Sequence, residues 1–263
     1  MVKYMKGKYY IYENSTKDTK NVVENIRKYA GRFNLQETES PSCADLIISI
    51  GGDGTFLEAS KLNLDANIFG VNKGTLGYLT EIEEDRINIA LLDYSNGNYE
   101  IQNRMMLDYY FDGREVNNKT LALNDIVISK RSSSTIGLDI FVDDVLINSY
   151  AADGIIVSTP TGSTGYSLSC GGPIIDPKSE MIIITPISPH TMINRSIIVS
   201  SNSKVEIKLT KARGDDGANL SIDGSFDSIS TGEKITIFKA HKSIKFVSFD
   251  ENNFLERIRQ KMR

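Results

Sequence analysis

The chain has 263 residues, long enough for one large domain or two modest ones with a real core. Its hydrophobic content of 40% and charged content of 24% are ordinary for a soluble globular protein. A net charge of −4, with Lys and Arg scattered along the chain, excludes the clustered basic footprint of a dedicated nucleic-acid surface.

No apolar run reaches the ~18 residues a membrane span requires, so neither nucleic acid nor membrane is an expected partner. The stretch Met1 to Tyr12 has two lysines near its start but neither the apolar core nor the small-residue cleavage site of a signal peptide. Cys43 and Cys170 are too few for a disulfide framework, and His190 and His241 do not complete a Cys/His zinc set. The expected compartment is cytoplasmic.

Lys8 to Tyr12 reads as a short aromatic strand. The polar stretch Asn14 to Thr19 opens a helix in which Val22, Val23, Ile26, Tyr29, Ala30 and Phe33 share one face. Leu46 to Ile50 is a β-branched run of the kind buried in parallel sheets. It runs straight into Gly51-Gly52-Asp53-Gly54-Thr55, and a helix is expected from Phe56 to Leu62. Ile68 to Val71 gives a third strand, and Ile87, Ala90 and Leu91 mark a helix closed by Asn96-Gly97. Strand and helix in alternation predict a Rossmann-like α/β domain over 1–100.

Short strands then dominate: Leu107 to Phe111, Leu121 to Ser129, Leu138 to Val142, Val145 to Asn148, Gly154 to Val157 and Met181 to Thr185. Ile197 to Val199, Val205 to Leu209, Leu220 to Asp223, Ile235 to Phe238 and Ile244 to Phe249 follow. Val142-Asp143-Asp144-Val145 has the form of a tight hairpin. This pattern predicts a β-sandwich-like, mostly all-β domain over 101–249. Phe254, Leu255, Ile258 and Met262 share a face, so 250–263 is expected to be a closing helix that packs back on the N-terminal domain.

The glycine turn lies where open α/β sheets bind ligands, at the carboxyl end of a strand. Backbone N–H groups of Gly51, Gly52 and Thr55 can approach phosphate oxygens there, and the helix start favours an anion. Asp53 among those glycines repels phosphate. It makes sense if it takes a proton from a hydroxyl or holds a phosphate-bridging metal; otherwise it is a solvated turn residue. No Walker-type Gly-Lys-Thr or Gly-Lys-Ser is present.

Ser158-Thr159-Pro160-Thr161-Gly162-Ser163-Thr164-Gly165-Tyr166 is the densest polar turn. Its hydroxyls and free amides suit a nucleotide and Tyr166 suits a base; the alternative is a plain surface loop. Asn124-Asp125 interrupts an apolar strand, as either a bulge or edge position or a pair that holds ribose hydroxyls. Asp153-Gly154 and Asp223-Gly224, taken alone, read as hairpin turns. Asp143-Asp144 and Asp215-Asp216-Gly217 read as solvated turns, and His190 as a structural histidine.

In this order the motifs resemble the NAD kinase family over most of the chain. The glycine turn alone is shared with diacylglycerol-type lipid kinases and nearly so with phosphofructokinases. Gly70-Val71-Asn72-Lys73-Gly74-Thr75-Leu76-Gly77-Tyr78-Leu79-Thr80, Asn124-Asp125, Asp153 to Gly172, Pro189-His190-Thr191 with Asn194-Arg195, and Ser221-Ile222-Asp223-Gly224 make the likeness specific.

The resemblance implies phosphoryl transfer from ATP or polyphosphate to the 2′-hydroxyl of the adenosine ribose of NAD, giving NADP. It implies a divalent cation, usually Mg²⁺, a homodimer or homotetramer, and an active site between the two domains. Asp53 would be the catalytic base and Gly54 would lie against the substrate. Asn124 and Asp125 would hold the NAD ribose and diphosphate. Asp153, Thr164, Gly165, Tyr166, Ser167, Leu168 and Ser169 would line the adenosine pocket.

Asp125 stands where the family has Glu, Gly165 where it has Ala, and Glu58 where many members have Arg. Some members place Arg at the position of Ala151, a charge thought to favour oxidised NAD. A non-catalytic dinucleotide sensor is the rival suggested by Glu58 and Asp125, with the intact Asp53 against it.

Overall fold

A computed structural model of the chain describes residues 7–75, 77–116, 120–191, 194–213, 217–250 and 253–261. Asp215, Asp216, Leu76 and Met262 lie outside the described residues. Two compact units emerge, one of Met1–Asn103 with Ile244–Arg263 and one of Arg104–Ser243.

The first unit opens with β1 (Gly7–Glu13), α1 (Lys20–Arg32), β2 (Leu35–Glu37), β3 (Leu46–Gly51), α2 (Asp53–Ser60), β4 (Asn67–Asn72) and α3 (Ile87–Asn96). Its strands run parallel in the order β2-β1-β3-β4. Every residue of β3 is buried, as its unbroken apolar run demands for a strand covered on both faces. Helix α1 turns Val22, Val23, Ile26 and Ala30 inward, with Tyr29 and Phe33 partly buried against the same core. The predicted helical face is therefore the buried one.

The second unit takes in β5 (Glu100–Phe111) from Arg104 onward, then β6 (Asp125–Lys130), β7 (Ile136–Val142), β8 (Val145–Ala152), β9 (Gly154–Ser158) and the one-turn α4 (Tyr166–Ser169). Then come β10 (Met181–Ile187), β11 (Ile197–Ser200), β12 (Val205–Lys211), β13 (Ala218–Ile222), β14 (Ser225–Ile229) and the first part of β15 (Lys234–Ser248). One antiparallel sheet runs β11-β10-β9-β6-β13-β14 and another β15-β12-β7-β8, with β5 also on β15. Ile126, Ile128, Ile155, Val157, Ile182 and Ile184 meet Leu138, Ile140, Ile207 and Ile237 in the core between the sheets. The α/β and all-β classes follow the sequence pattern.

Several elements differ from the sequence expectation. Leu121 to Ser129 is not one strand: Ala122 makes only an isolated bridge to Leu107, and β6 starts at Asp125. The amides before it are taken by a side chain instead of a ladder. Ile235–Phe238 and Ile244–Phe249 are two parts of the single 15-residue β15. Its end pairs with β4 through Lys245↔Asn67 and Phe246↔Ile68, so Ile244 onward belongs to the first unit and not to the β domain. The closing helix α5 (Asn253–Lys261) also belongs there, but Leu255 is exposed while Arg257 is buried. The expected apolar stripe is thus replaced in part by a charged anchor.

Asp143 and Asp144, at φ 50 and 67, close the β7–β8 hairpin as anticipated. Asp153-Gly154 is no hairpin, because β8 and β9 lie in different sheets. Among the described residues no helix is long and apolar enough to cross a membrane.

Candidate active site

In the first unit β3 ends at Gly51 and α2 starts at Asp53, so the glycine turn stands at the carboxyl edge of the parallel strands. The Asp53 carboxylate is half-buried and held from one side. Tyr78 N–H donates to Oδ2 and Leu79 N–H to Oδ1, both at 2.9 Å. A Cβ on Gly77 would overlap Asp53 Oδ1, so that position requires glycine. This gives a physical purpose to the Gly70 to Thr80 signature: its Tyr78 and Leu79 amides fix the carboxylate. Each oxygen keeps a second lone-pair direction for a reacting group. Partial burial, and then the Asp53 charge, push the Tyr78 hydroxyl above its usual pKa.

Gly54 is exposed at the start of α2 and Gly52 half-buried. Gly51 is buried and its carbonyl accepts from Lys73 N–H at 2.8 Å. Thr55 is buried too, and its hydroxyl accepts from Asn14 Nδ2 at 3.2 Å. Glu58 is exposed and accepts from the Tyr12 hydroxyl at 2.8 Å, a bond that raises the Tyr12 pKa. The Arg-to-Glu departure therefore coincides with a specific partner across the turn.

In the second unit the Asn124-Asp125 corner is built by Asp223. The β13–β14 turn holds Asp223 at φ 45, which swings its carboxylate under the corner. Leu123 N–H donates to Oδ2 at 2.7 Å, while Asn124 and Asp125 N–H donate to Oδ1 at 2.8 and 3.0 Å. The reading of Asp223-Gly224 as a hairpin is right but incomplete. Its second task left no local sequence signal beyond a carboxylate in a left-handed position.

The Ser158 to Tyr166 segment backs the same corner from the other side. Thr159 N–H and Oγ1–H donate to the Asn124 and Leu123 carbonyls at 2.9 and 2.5 Å. A Cβ on Gly162 would overlap the Asn124 carbonyl. Ser158, Thr159 and Ser163 are fully buried, so the plain surface-loop reading fails here.

Three buried acceptors in this region, Asn124 Oδ1, Ser158 Oγ and Thr161 Oγ1, have no hydrogen-bond partner among the described residues. An unmet buried polar group costs about 1–3 kcal/mol, and native folds keep few without a use. Gly165 lies beside Asn124 Nδ2 and Asp125 Oδ2, which a Cβ there would meet at 3.6 and 3.8 Å. Alanine would fit with a small shift from the Gly162 carbonyl.

The remaining predicted residues divide. Tyr166 is exposed, and its hydroxyl pKa is raised by partial burial and then by Cys170, Asp153 and Asp125 nearby. Asp153 is ion-paired with Lys130 at 2.6 Å, a partner the sequence did not signal. Ala151 is exposed, and its carbonyl accepts from His190 N–H at 2.7 Å; Ser169 is also exposed. Leu168 is half-buried, and Thr164 Oγ1 donates to the Thr161 carbonyl at 3.2 Å. Ser167 is instead fully interior, its hydroxyl 3.0 Å from Thr185 Oγ1, which sits 2.9 Å from Ser196 Oγ. Structure thus places Ser167 in a buried hydroxyl chain.

The profile of the ATP-NAD kinase N-terminal domain matches residues 4–99, and that of the ATP-NAD kinase C-terminal domain matches residues 123–249. The chain belongs to the NAD kinase family. It is 42% identical over 230 residues to the NAD kinase of Lachnoclostridium phytofermentans, covering 84% of this chain and 81% of that protein. To the NAD kinase of Lachnospira eligens it is 40% identical over 238 residues, with coverage of 84% and 81%.

Among solved structures, an NAD kinase from Archaeoglobus fulgidus in complex with ATP matches with a TM-score of 0.81 at 27% identity. It covers 96% of this chain and 98% of that one. A yeast NADH kinase complexed with NADH shares the fold, with a TM-score of 0.86 at 23% identity and coverage of 98% and 87%. The glycine turn lies within the stretch matched by the N-terminal domain, and the Asn124-Asp125 corner and the Asp223 turn lie within that matched by the C-terminal domain.

Proposed function

We propose that this NAD kinase family member phosphorylates the adenosine ribose 2′-hydroxyl of NAD, with Asp53 as the base and the Asn124-Asp125 corner as the NAD-holding surface. The observation that carries the reading is the Asp53 carboxylate pinned by two consecutive amides at the end of a buried parallel strand. Those bonds orient one side of the carboxylate and leave the other available to accept the ribose O–H. As that proton moves to Asp53, O2′ bonds to the terminal phosphorus of the donor. The bond from that phosphorus to the bridging oxygen breaks, and the shortened donor leaves.

Asn124 Oδ1, a buried acceptor without a partner among the described residues, suits a ribose hydroxyl of the bound dinucleotide. The exposed Tyr166 ring offers a stacking face for a base. The assay for the reading is direct: NADP forms when the protein is incubated with NAD, Mg²⁺ and ATP. No NADP above a protein-free control, with ATP or with polyphosphate, would overturn it and leave the non-catalytic sensor.

A divalent cation, Mg²⁺ by family, would neutralise charge on the donor phosphates. Among the described residues no cluster of three or more His, Cys, Asp or Glu side chains could hold a metal. Asp53, the one carboxylate at the glycine turn, would be the side chain to hold the cation there. ATP is the proposed donor, supported by the ATP-bound Archaeoglobus relative, with polyphosphate as the alternative.

Acceptor choice is proposed to be loose. Ala151 is exposed and neutral, so nothing at that position opposes the uncharged nicotinamide of NADH. Activity on NADH is expected beside that on NAD. A kcat/KM for NADH more than about a thousandfold below that for NAD, roughly 4 kcal/mol, would sink the idea.

Assembly into a homodimer or homotetramer is also proposed. Edge strand β8 exposes Val145, Leu146 and Ile147, and edge strand β14 exposes Phe226, apolar edges that a second copy would cover. Light scattering at micromolar protein should return a multiple of the monomer mass; the monomer mass itself would refute assembly.

A further inference from the structure

The turn that holds Asp53 is itself held from the far end of the chain. Between Asn72 and Ile82 the backbone leaves the sheet. Asn72 N–H donates to the Ile82 carbonyl at 2.7 Å and Ile82 N–H to the Gly70 carbonyl at 3.0 Å, closing the excursion at its base. Two of its amides go to Asp53. Two of its carbonyls face a single buried side chain, Arg257 of α5: Nη2–H donates to the Glu81 carbonyl at 2.9 Å and Nη1–H to that of Gly77 at 3.4 Å. Glu83 Oε1 lies 3.8 Å from Nη1, and one turn along α5 Lys261 Nζ stands 4.2 Å over the Tyr78 ring.

A buried guanidinium is expensive unless its donors are met, and here part of them is met by backbone that has no ladder of its own. Gly77 is the residue whose carbonyl Arg257 grips and whose missing Cβ admits the Asp53 oxygen. Its successor, Tyr78, donates the first amide to that carboxylate. The Gly77 carbonyl and the Tyr78 N–H belong to one planar peptide group, so moving the carbonyl tilts the N–H with it.

The geometry points to Arg257 as a positioning residue that fixes the orientation of the Asp53 carboxylate through the Gly77–Leu79 backbone. The inference rests on the assignment of Asp53 as the base. Arg257 is buried with its guanidinium turned to the Gly77 and Glu81 carbonyls, so its loss should act on the chemical step and leave substrate binding alone.

The test compares Arg257→Met and Arg257→Lys, each alone and combined with Asp53→Asn, by steady-state kinetics and by hydrogen exchange at the Tyr78 and Leu79 amides. Arg257→Met is expected to lower kcat about 10- to 100-fold with KM for NAD and ATP changed less than about threefold. Arg257→Lys, which keeps the charge and a donor, should recover at least a few-fold of that loss. On the Asp53→Asn background Arg257→Met should cost less than about twofold, since the two residues act through one group. Both amides should exchange at least about tenfold faster in Arg257→Met, reporting local opening of the turn.

An undiminished kcat, a KM rise in place of a kcat fall, or the same proportional loss on the Asp53→Asn background would overturn the inference. Should Arg257→Met fail to fold, Arg257→Lys carries the same readings, with a smaller kcat loss that also vanishes on the Asp53→Asn background. If Asp53→Asn alone retains its kcat, the base assignment fails. Amide exchange then still decides separately whether Arg257 holds the turn.

Discussion

Asp53→Asn lowers kcat by about 10²- to 10⁴-fold, the usual contribution of a positioned general base, while KM for NAD stays close to its original value. The substitution keeps the size and one acceptor oxygen, so one of the two amides, Tyr78 or Leu79, retains its partner. What disappears is the acceptor for the ribose proton and the negative charge. In free-energy terms the loss is roughly 3 to 5 kcal/mol of barrier. Removing a charge that repels phosphate can even tighten substrate binding.

Asp125→Ala behaves oppositely in the same assay. Asp125 presents its carboxylate beside Gly165, in the corner proposed to hold NAD before and during transfer, so its loss raises KM for NAD more than it lowers kcat. The pair of variants is read by steady-state kinetics, with circular dichroism confirming the fold. More than about a tenth of the original kcat in Asp53→Asn would remove Asp53 from the role of base.

The second large effect belongs to Asp223. Its carboxylate receives three consecutive amides, from Leu123, Asn124 and Asp125. Hydrogen bonds to a charged acceptor contribute about 1.5–3 kcal/mol each, but they share one group and water reaches the exposed part of the turn. Asp223→Gly is therefore expected to cost about 2–4 kcal/mol of stability in urea melts and to raise KM for NAD at least tenfold. Asp223→Ala should cost about 1–2 kcal/mol more, because φ is 45 there and a Cβ strains that conformation. A Cm for Asp223→Gly within error of the original would show that the corner does not depend on this carboxylate.

Much of this was legible from residues. The β-branched run Leu46 to Ile50 and the spaced apolar face of Val22 to Ala30 produced the buried strand and helix they predict. The glycine turn, the polar Ser158 to Tyr166 segment and the Asn124-Asp125 pair stood out because each breaks an apolar pattern.

What escaped the sequence is non-local. Leu123 and Asn124 read as strand, yet their amides serve a carboxylate about a hundred residues away. Ile235 to Phe238 and Ile244 to Phe249 read as two strands, yet they form the single β15, whose two parts pair with different neighbours. Ser167, which the resemblance puts in the adenosine pocket, has its hydroxyl beside that of Thr185, a neighbour only the fold reveals. Arg257 sits on a helix that sequence marks by its apolar residues, and nothing local says that its charge goes inward.

The first unit is discontinuous in the chain, since its last strand and helix come after the whole of Arg104–Ser243. During synthesis Asp53 emerges early, but Arg257 leaves the ribosome about two hundred residues later, at the usual pace some ten to forty seconds behind. The β unit, contiguous and bounded by its own core, can complete its fold in that interval. The nascent α/β half waits with one face of β4 unpaired, an edge open to mispairing until Lys245 and Phe246 arrive. The backbone contacts that Arg257 makes with the turn around Asp53 therefore form late, when α5 arrives and not when the glycine turn first forms.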